Sequence, residues 1–570
     1  MRTGGGIKDL LPMSWLWNNP RGGPNMSGHS ITPGHCACAL ALLLAAATLL
    51  AACGRAQTNA TASSAPRALA AHPSRPSGVA WFEGEPAAAF DLAREQRKPV
   101  FVYFGAVWCP PCQELKATIF RRKDFLDRLT LYVPVYLDGD APDAQRWADR
   151  FHVIGYPTVL ILRSDRSEIE RVSGGMDLGR YAEVLGAGIG AVRPIEDILA
   201  SVKGNSASLS DDECRILAYN GWELDDAWIF SDEQPQALAQ LSDLIARGAE
   251  RCPPAAKVER ARLELTAAAA AVKLDAADLK AGKPPSPRLA ALVQRTLPLL
   301  ADPVAHEFGE TLLELPEGFF VAAARLDPAH TADLENRYVG LMDEFASDSR
   351  YSTPSQLWAL TKKLAVVQAL EPSGKAPQVM ADQALQRAEL VLTQVHEPYA
   401  RTAAVNEVLN LLEQLGDEER SYAVLAGEVK TSATPYYYMS ELGALEEKRG
   451  HKEAAIDWFA RSYLDSQGQA TRTQWGSRYV LALIRLRPDD ETAIRNTTLQ
   501  LLRELEDGDS IHGRNRRALD SLFAHLHEWG NGGVHAGALG EIRTSMDQVC
   551  RRVSRADTVP GSCAQLVAKI

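Results

Sequence analysis

Residues Val100 to Cys112 read VFVYFGAVWCPPC, and the fold turns on how that stretch is read. Its first half, Val100, Phe101, Val102, Tyr103 and Phe104, is short, aromatic and β-branched, and Pro99 and Gly105 bound it. Those properties predict a buried strand. The second half puts Cys109 where a helix would start, with Trp108 before it and Pro110, Pro111 and Cys112 after it. Unpaired amides and the positive dipole end at a helix N-terminus favour a thiolate, so a thiol pKa there falls from about 8.5 into a range of roughly 3.5 to 7.5. Cys112, one turn on, points inward and can attack the Cys109 sulfur to release a mixed disulfide. A lone Cys-X-X-Cys pair can also bind zinc, copper or an iron–sulfur cluster. The strand-to-helix setting, Trp108, and the turn Gly155, Tyr156, Pro157, Thr158 before another apolar run favour redox chemistry.

Working outward, an amphipathic helix is expected over 87–95, a helix from Cys112 to about Arg122, and a strand from Thr130 to Leu137. A helix from Pro142 to Phe151, a second buried strand from Thr158 to Leu162, a charged hairpin returning through Ile169 to Val172, and a helix from about Leu178 to Gly186 follow. Strands interleaved with helices predict an α/β unit with a central sheet covered on both faces. Arg121, Arg122 and Lys123 are expected to complement the C-terminal end of the Cys112 helix.

With these residues in view, positions 78–190 resemble the thioredoxin superfamily, and most closely the C-terminal periplasmic domain of the transmembrane thiol reductase DsbD. Trp81, Lys98, Pro99, Val100, the cysteine pair, Phe120 and the Gly155 to Thr158 turn carry the likeness. It implies a thioredoxin fold, a nucleophilic Cys109, a resolving Cys112, and a cis Pro157 that docks partner peptide with Trp108 and Tyr156 nearby. No cofactor and no metal are expected. Two positions depart from the family pattern. Tyr103 stands where these relatives carry a buried Asp, and Lys116 stands where the DsbD domain carries a Glu. Exchanging two acids for a phenol and a cation favours thiolate at the pair and predicts a couple more oxidising than thioredoxin's. Pro110 and Pro111 stiffen the loop between the sulfurs.

From 195 to 570 strand signals fade, and Ala, Leu, Glu and Arg recur at helical spacing, as from Val258 to Val272 and from Thr402 to Leu415. Pro253, Pro254, Pro285, Pro287 and Pro372 punctuate this all-helical region, with an internal boundary expected near 275–290. Leu442, Gly443, Gly450, Ala455 and Phe459 are spaced like one tetratricopeptide repeat, but no sustained period follows, so an irregular stack of helix hairpins is expected. Such a stack could grip a partner or cover the redox site. Tyr436, Tyr437 and Tyr438 read as core packing at a helix start. His525 and His527 fall on opposite sides of a helix, which argues against a metal site with His535.

Cys36 to Ala52 is uncharged and rich in Leu and Ala, follows an N-terminal region holding Arg2, Lys8 and Arg21, and ends at Cys53. The pattern is that of a secretory leader over 1–53, and its end resembles the lipobox of bacterial lipoproteins, with Cys53 acylated. An uncleaved anchor is the alternative, although about 17 residues is at the short limit for a span. Gly54 after the cysteine resembles the sorting pattern for the outer membrane, and 54–77, poor in large apolar residues, reads as a flexible tether. Both readings export the remainder. A net charge of -11 and no long basic run exclude a nucleic-acid footprint. Of nine cysteines, Cys36, Cys38 and Cys53 belong to the leader, leaving Cys214, Cys252, Cys550 and Cys563 beside the redox pair. Those four are candidates for two structural disulfides, with buried free thiols as the alternative. The partners expected are cysteine-containing periplasmic proteins and a redox donor or acceptor protein. The competing function is an envelope binding or scaffold protein whose thioredoxin-like domain is inert or holds copper.

Overall fold

In a computed structural model of the chain, the described residues are 75–141, 143–172, 180–187, 189, 193–204, 208–302, 304–505, 511–553 and 562–570. Cys53, the leader before it and the tether as far as residue 74 lie outside them. Among the described residues no helix is long and apolar enough to cross a membrane.

The stretch quoted first becomes the central strand. Helix α1 (Pro86–Gln96) leads into β1 (Val100–Gly105), then α2 (Pro110–Ala117), α3 (Lys123–Leu129), β2 (Val133–Asp138), α4 (Ala144–Arg150), β3 (Thr158–Leu162), β4 (Glu168–Val172) and α5 (Arg180–Ala187). The sheet order is β2-β1-β3-β4. β1 runs parallel to β2, with Tyr103 beside Tyr136, and antiparallel to β3, with Tyr103 beside Val159. Every residue of β1 and β3 is buried, which is why both read as unbroken apolar runs rather than as alternating ones.

Side chains alternate across a strand, so β1 feeds two separate cores. Phe101 and Tyr103 join an apolar cluster that continues through α3 and α5 into Ile198, Leu217, Leu265 and Phe320. Val100, Val102 and Phe104 join a second cluster that continues through Trp108 into Tyr436, Trp475 and Phe523. The sheet thus lies between two halves of one large all-helical region, each half extending the core of one sheet face. Residues 195–570 are helical wherever regular structure is described, apart from a single bridge between Val172 and Asn220. The long Lys257–Lys280 helix and the Pro287–Thr296 helix flank the 281–286 turn and belong to the same cluster. In the Pro435–Lys448 and Lys452–Asp465 hairpin the Phe459 ring rests on Gly443, at 3.0 Å from where a Cβ would stand. Disulfides join Cys214 to Cys252 and Cys550 to Cys563, so these four are not free thiols.

The expected single helix from Cys112 to Arg122 is corrected. It stops at Ala117, Thr118 leaves helical geometry (φ -117, ψ -83), a 3-10 turn spans Ile119–Arg121, and α3 starts at Lys123. Thr118 bonds its hydroxyl back to the Glu114 carbonyl at 2.6 Å, and two β-branched residues in succession weaken the turn at that point. Lys123 therefore opens a helix instead of closing one. Arg121 does not cap its own helix: it pairs with Glu397 at 2.7 Å, in the helical region. α3 also takes residues up to Leu129, so β2 begins at Val133 rather than Thr130.

Candidate functional site

Cys109 is the N-cap of α2, in extended geometry (φ -81, ψ 112), and is disulfide-bonded to Cys112. Its sulfur accepts the Cys112 amide N–H at 3.2 Å, so one otherwise unpaired helix amide is aimed at the reacting atom. Pro110 and Pro111 occupy the first turn, where a missing N–H leaves no bond unmade. The Gln113 side-chain amide donates to the Val107 carbonyl at 2.6 Å and closes the loop before the motif. Tyr156–Pro157 is a cis peptide bond, as the resemblance implied, and the Trp108 and Tyr156 rings lie 6.3 Å apart.

Tyr103, on β1, is fully buried in the cluster on the other face of the sheet from Cys109 and Cys112, and its hydroxyl has no hydrogen-bond partner among the described residues. Burial holds its proton on, well above the usual phenol range. The ring packs on Trp81, Phe120 and Tyr136, and Gly105 lacks a Cβ where the Tyr103 hydroxyl approaches to 2.7 Å. Lys116, only 3% exposed, stands one turn beyond Cys112 on the same side of α2 and lies over the Tyr399 ring at 5.7 Å. Burial pulls its ammonium down to about 8, and Asp138 opposes that pull.

The pair is covered. Cys109 is 2% exposed and Trp108 4%. Around it, helices of the helical region present their N-termini to the thioredoxin-like part, and the Pro398–Leu415 helix packs against α2. Asp140 accepts the Thr471 amide at 2.9 Å and the Thr471 hydroxyl at 2.6 Å, capping the Gln469–Leu486 helix from outside it. The same Thr471 oxygen accepts the Trp108 indole N–H at 2.9 Å, so a relay of two bonds runs from the residue before Cys109 to Asp140. Gly468, at φ +87, permits this approach, since any Cβ would collide with the Asp140 carboxylate. Burial pushes Asp140 up to about 6, against the two bonds from Thr471.

Asp149 likewise accepts the Gly513 amide at 2.8 Å and faces His512 Nδ1 at 2.6 Å, while Gln145 accepts the Arg514 amide at 3.0 Å. These three bonds seat the Gly513–Trp529 helix on α4. Glu114 of α2 meets the Thr353–Leu370 helix at Ser352 and Ser355, and burial raises its pKa. Carboxylates at helix N-termini are stabilised by the dipole and the unpaired amides, which makes each contact a directional lock. Trp475 completes the cover, its ring 4.9 Å from Trp108 and edge-on to it.

Trp108, Tyr156 and Pro157 were expected to receive a partner peptide. In this conformation the chain's own helices stand there, with Arg517 donating to the carbonyls of Val153 and Ile154 just ahead of the cis bond. Asp140, Asp149, Gln145, Thr471 and Arg514 had no local sequence signal, because each acts across more than 300 positions. Tyr436, Tyr437 and Tyr438 are buried in the same core, with Tyr437 donating to Asn406 at 3.0 Å. His525 faces its own helix carbonyl at Ser521, and His535 faces Glu491 and stacks on Trp529 at 3.8 Å.

A disulfide at a helix N-terminus and a cis-proline turn whose Tyr156 lies near Trp108, on a four-stranded mixed sheet, define a thioredoxin-like domain carrying a Cys-X-X-Cys pair. Consistent with this, residues 86–189 match the family model described as a thioredoxin-like domain. No curated protein matches the chain.

Proposed function

We propose that the protein is a thiol-disulfide oxidoreductase, exported and tethered to the outer membrane through a lipid on Cys53, whose helical region is a removable cover for the redox pair. The observation that carries the reading is the Cys109 sulfur at the start of α2, bonded to Cys112 and receiving its amide N–H, with the Tyr156 ring of the cis Tyr156–Pro157 turn 6.3 Å from that of Trp108. In the reducing direction, thiolate Cys109 attacks a client disulfide and Cys112 then attacks the Cys109 sulfur, releasing reduced client and restoring the Cys109–Cys112 disulfide. The reverse sequence oxidises a client. Clients are cysteine-containing periplasmic proteins, and a client approaching Tyr156 and Pro157 takes the place of the Thr471, Trp475 and Arg517 contacts. Tyr103 and Lys116, standing where related domains carry acids, favour the thiolate and set a couple more oxidising than thioredoxin's.

A second reading rests on the burial of Cys109: a scaffold or binding protein with an inert or copper-holding pair. One set of measurements separates them. The mature chain should reduce insulin, lose that activity in Cys109→Ser, accumulate mixed disulfides in Cys112→Ala, and equilibrate with glutathione at a potential above thioredoxin's. A chain with no insulin activity, no trapped adducts, and a Cys109 that stays closed to alkylation after reduction is the binding protein instead.

A further inference from the structure

The helical region places a cation against the redox site. Arg514, second residue of the Gly513–Trp529 helix, is 9% exposed, and its guanidinium lies 5.4 Å from the Trp108 ring centre and 4.9 Å from that of Tyr156. Those are the side chains next to Cys109 and Pro157. Its Nε donates to Gln474 at 3.3 Å and its amide to Gln145 at 3.0 Å; among the described residues none of these partners is a carboxylate. The titratable groups around it are Tyr156, Arg517 and Arg478, two of them cations. Burial first, and then those two arginines, pull Arg514 down to about 10. A buried charge without a counter-ion is strongly unfavourable, and rings and amides compensate it only in part.

Reduction of the pair creates an anion on Cys109, the residue that follows Trp108 in the chain. Two electrons from a client dithiol break the Cys109–Cys112 bond and leave a Cys109 thiolate and a Cys112 thiol. The client becomes a disulfide, one of its protons ends on Cys112, and the other goes to solvent. Resting on the functional reading above, we propose that Arg514 is the counter-cation of the Cys109 thiolate, a positioning residue by which the helical region tunes the redox pair. Reduction then tightens the seat of the Gly513 helix, and oxidation loosens it, because the charge that holds it comes and goes with the disulfide.

The test is alkylation of Cys109 in the reduced, full mature chain across pH, read by peptide mass spectrometry, with glutathione equilibration in parallel. The midpoint of the profile reads the thiol, whereas its height reads access. Arg514→Gln and Arg514→Met should raise the midpoint by about one unit and shift the glutathione equilibrium about tenfold towards the disulfide, equivalent to about 30 mV for this two-electron couple. Arg514→Lys should stay near wild type. Arg514→Met keeps an unbranched stem over Trp108, so it decides the matter if the Gln variant does not fold, with circular dichroism checking each. An unchanged midpoint in a folded neutral variant, or an equal shift in Arg514→Lys, overturns the inference. If the wild-type chain exchanges no disulfide with glutathione, the functional reading itself has failed.

Discussion

At the scale of single residues, Lys116 shows how a candidate tuning position is legible and how its cost is not. Its departure from the family pattern is visible in the sequence, but only the fold reveals that it is buried. Because its pKa is lowered from 10.5 to about 8 in the folded chain, burial disfavours the charged form. Its stability contribution is whole above pH 10.5 and is lost as pH falls towards 8, below which the lysine is charged whether folded or not. Lys116→Met is therefore expected to stabilise the protein at pH 7 by about 1 to 3 kcal/mol, the gain shrinking above pH 8. Guanidinium unfolding at pH 7 and pH 10 checks this, and the same variant should move the redox couple towards thioredoxin's.

At the scale of elements, the strand-to-helix hand-over at Cys109 needed only local rules: an apolar run, a proline-filled first turn and a cysteine at the cap. What those rules missed was the break at Thr118, since the following residues still look helical one at a time. They also missed that acids of the thioredoxin-like part accept the first amides of the Gln469 and Gly513 helices and the Ser352 cap hydroxyl of the Thr353 helix. Those docking bonds make a prediction about access. Gly468→Val puts a branched side chain at φ +87 and into the Asp140 carboxylate, so the Gln469 helix should unseat from Trp108. Alkylation of reduced Cys109 should then accelerate by at least about tenfold, as expected if roughly 1.4 kcal/mol or more of docking is lost. A rate equal to wild type, with the chain folded, would show that the cover does not control access.

At the scale of the whole molecule, the sheet and the helices share their cores, so stability should not divide neatly between them. The Cys214–Cys252 link closes a separation of 38 residues inside the cluster that also holds Tyr103. In the chain-entropy view a loop of that size is worth about 4 kcal/mol. Replacing both cysteines with Ala should lower the thermal midpoint and bring the β1 signal down with the helices in a single transition, seen by hydrogen exchange. Early loss of the helices alone would show two independent units.

By itself the sequence determined the strand through Val100 to Phe104, the cysteines at a helix start, and the change to helices after about residue 195. These follow from periodicity, side-chain shape and cap chemistry within a few residues of one another. Only the tertiary structure decided that the redox pair is covered, that Asp140 and Thr471 join the motif to a helix far along the chain, and that Arg514 stands over Trp108. The reason is physical: docking bonds and burial depend on which surfaces meet, and a pairing across more than 300 positions leaves no periodic trace in either partner.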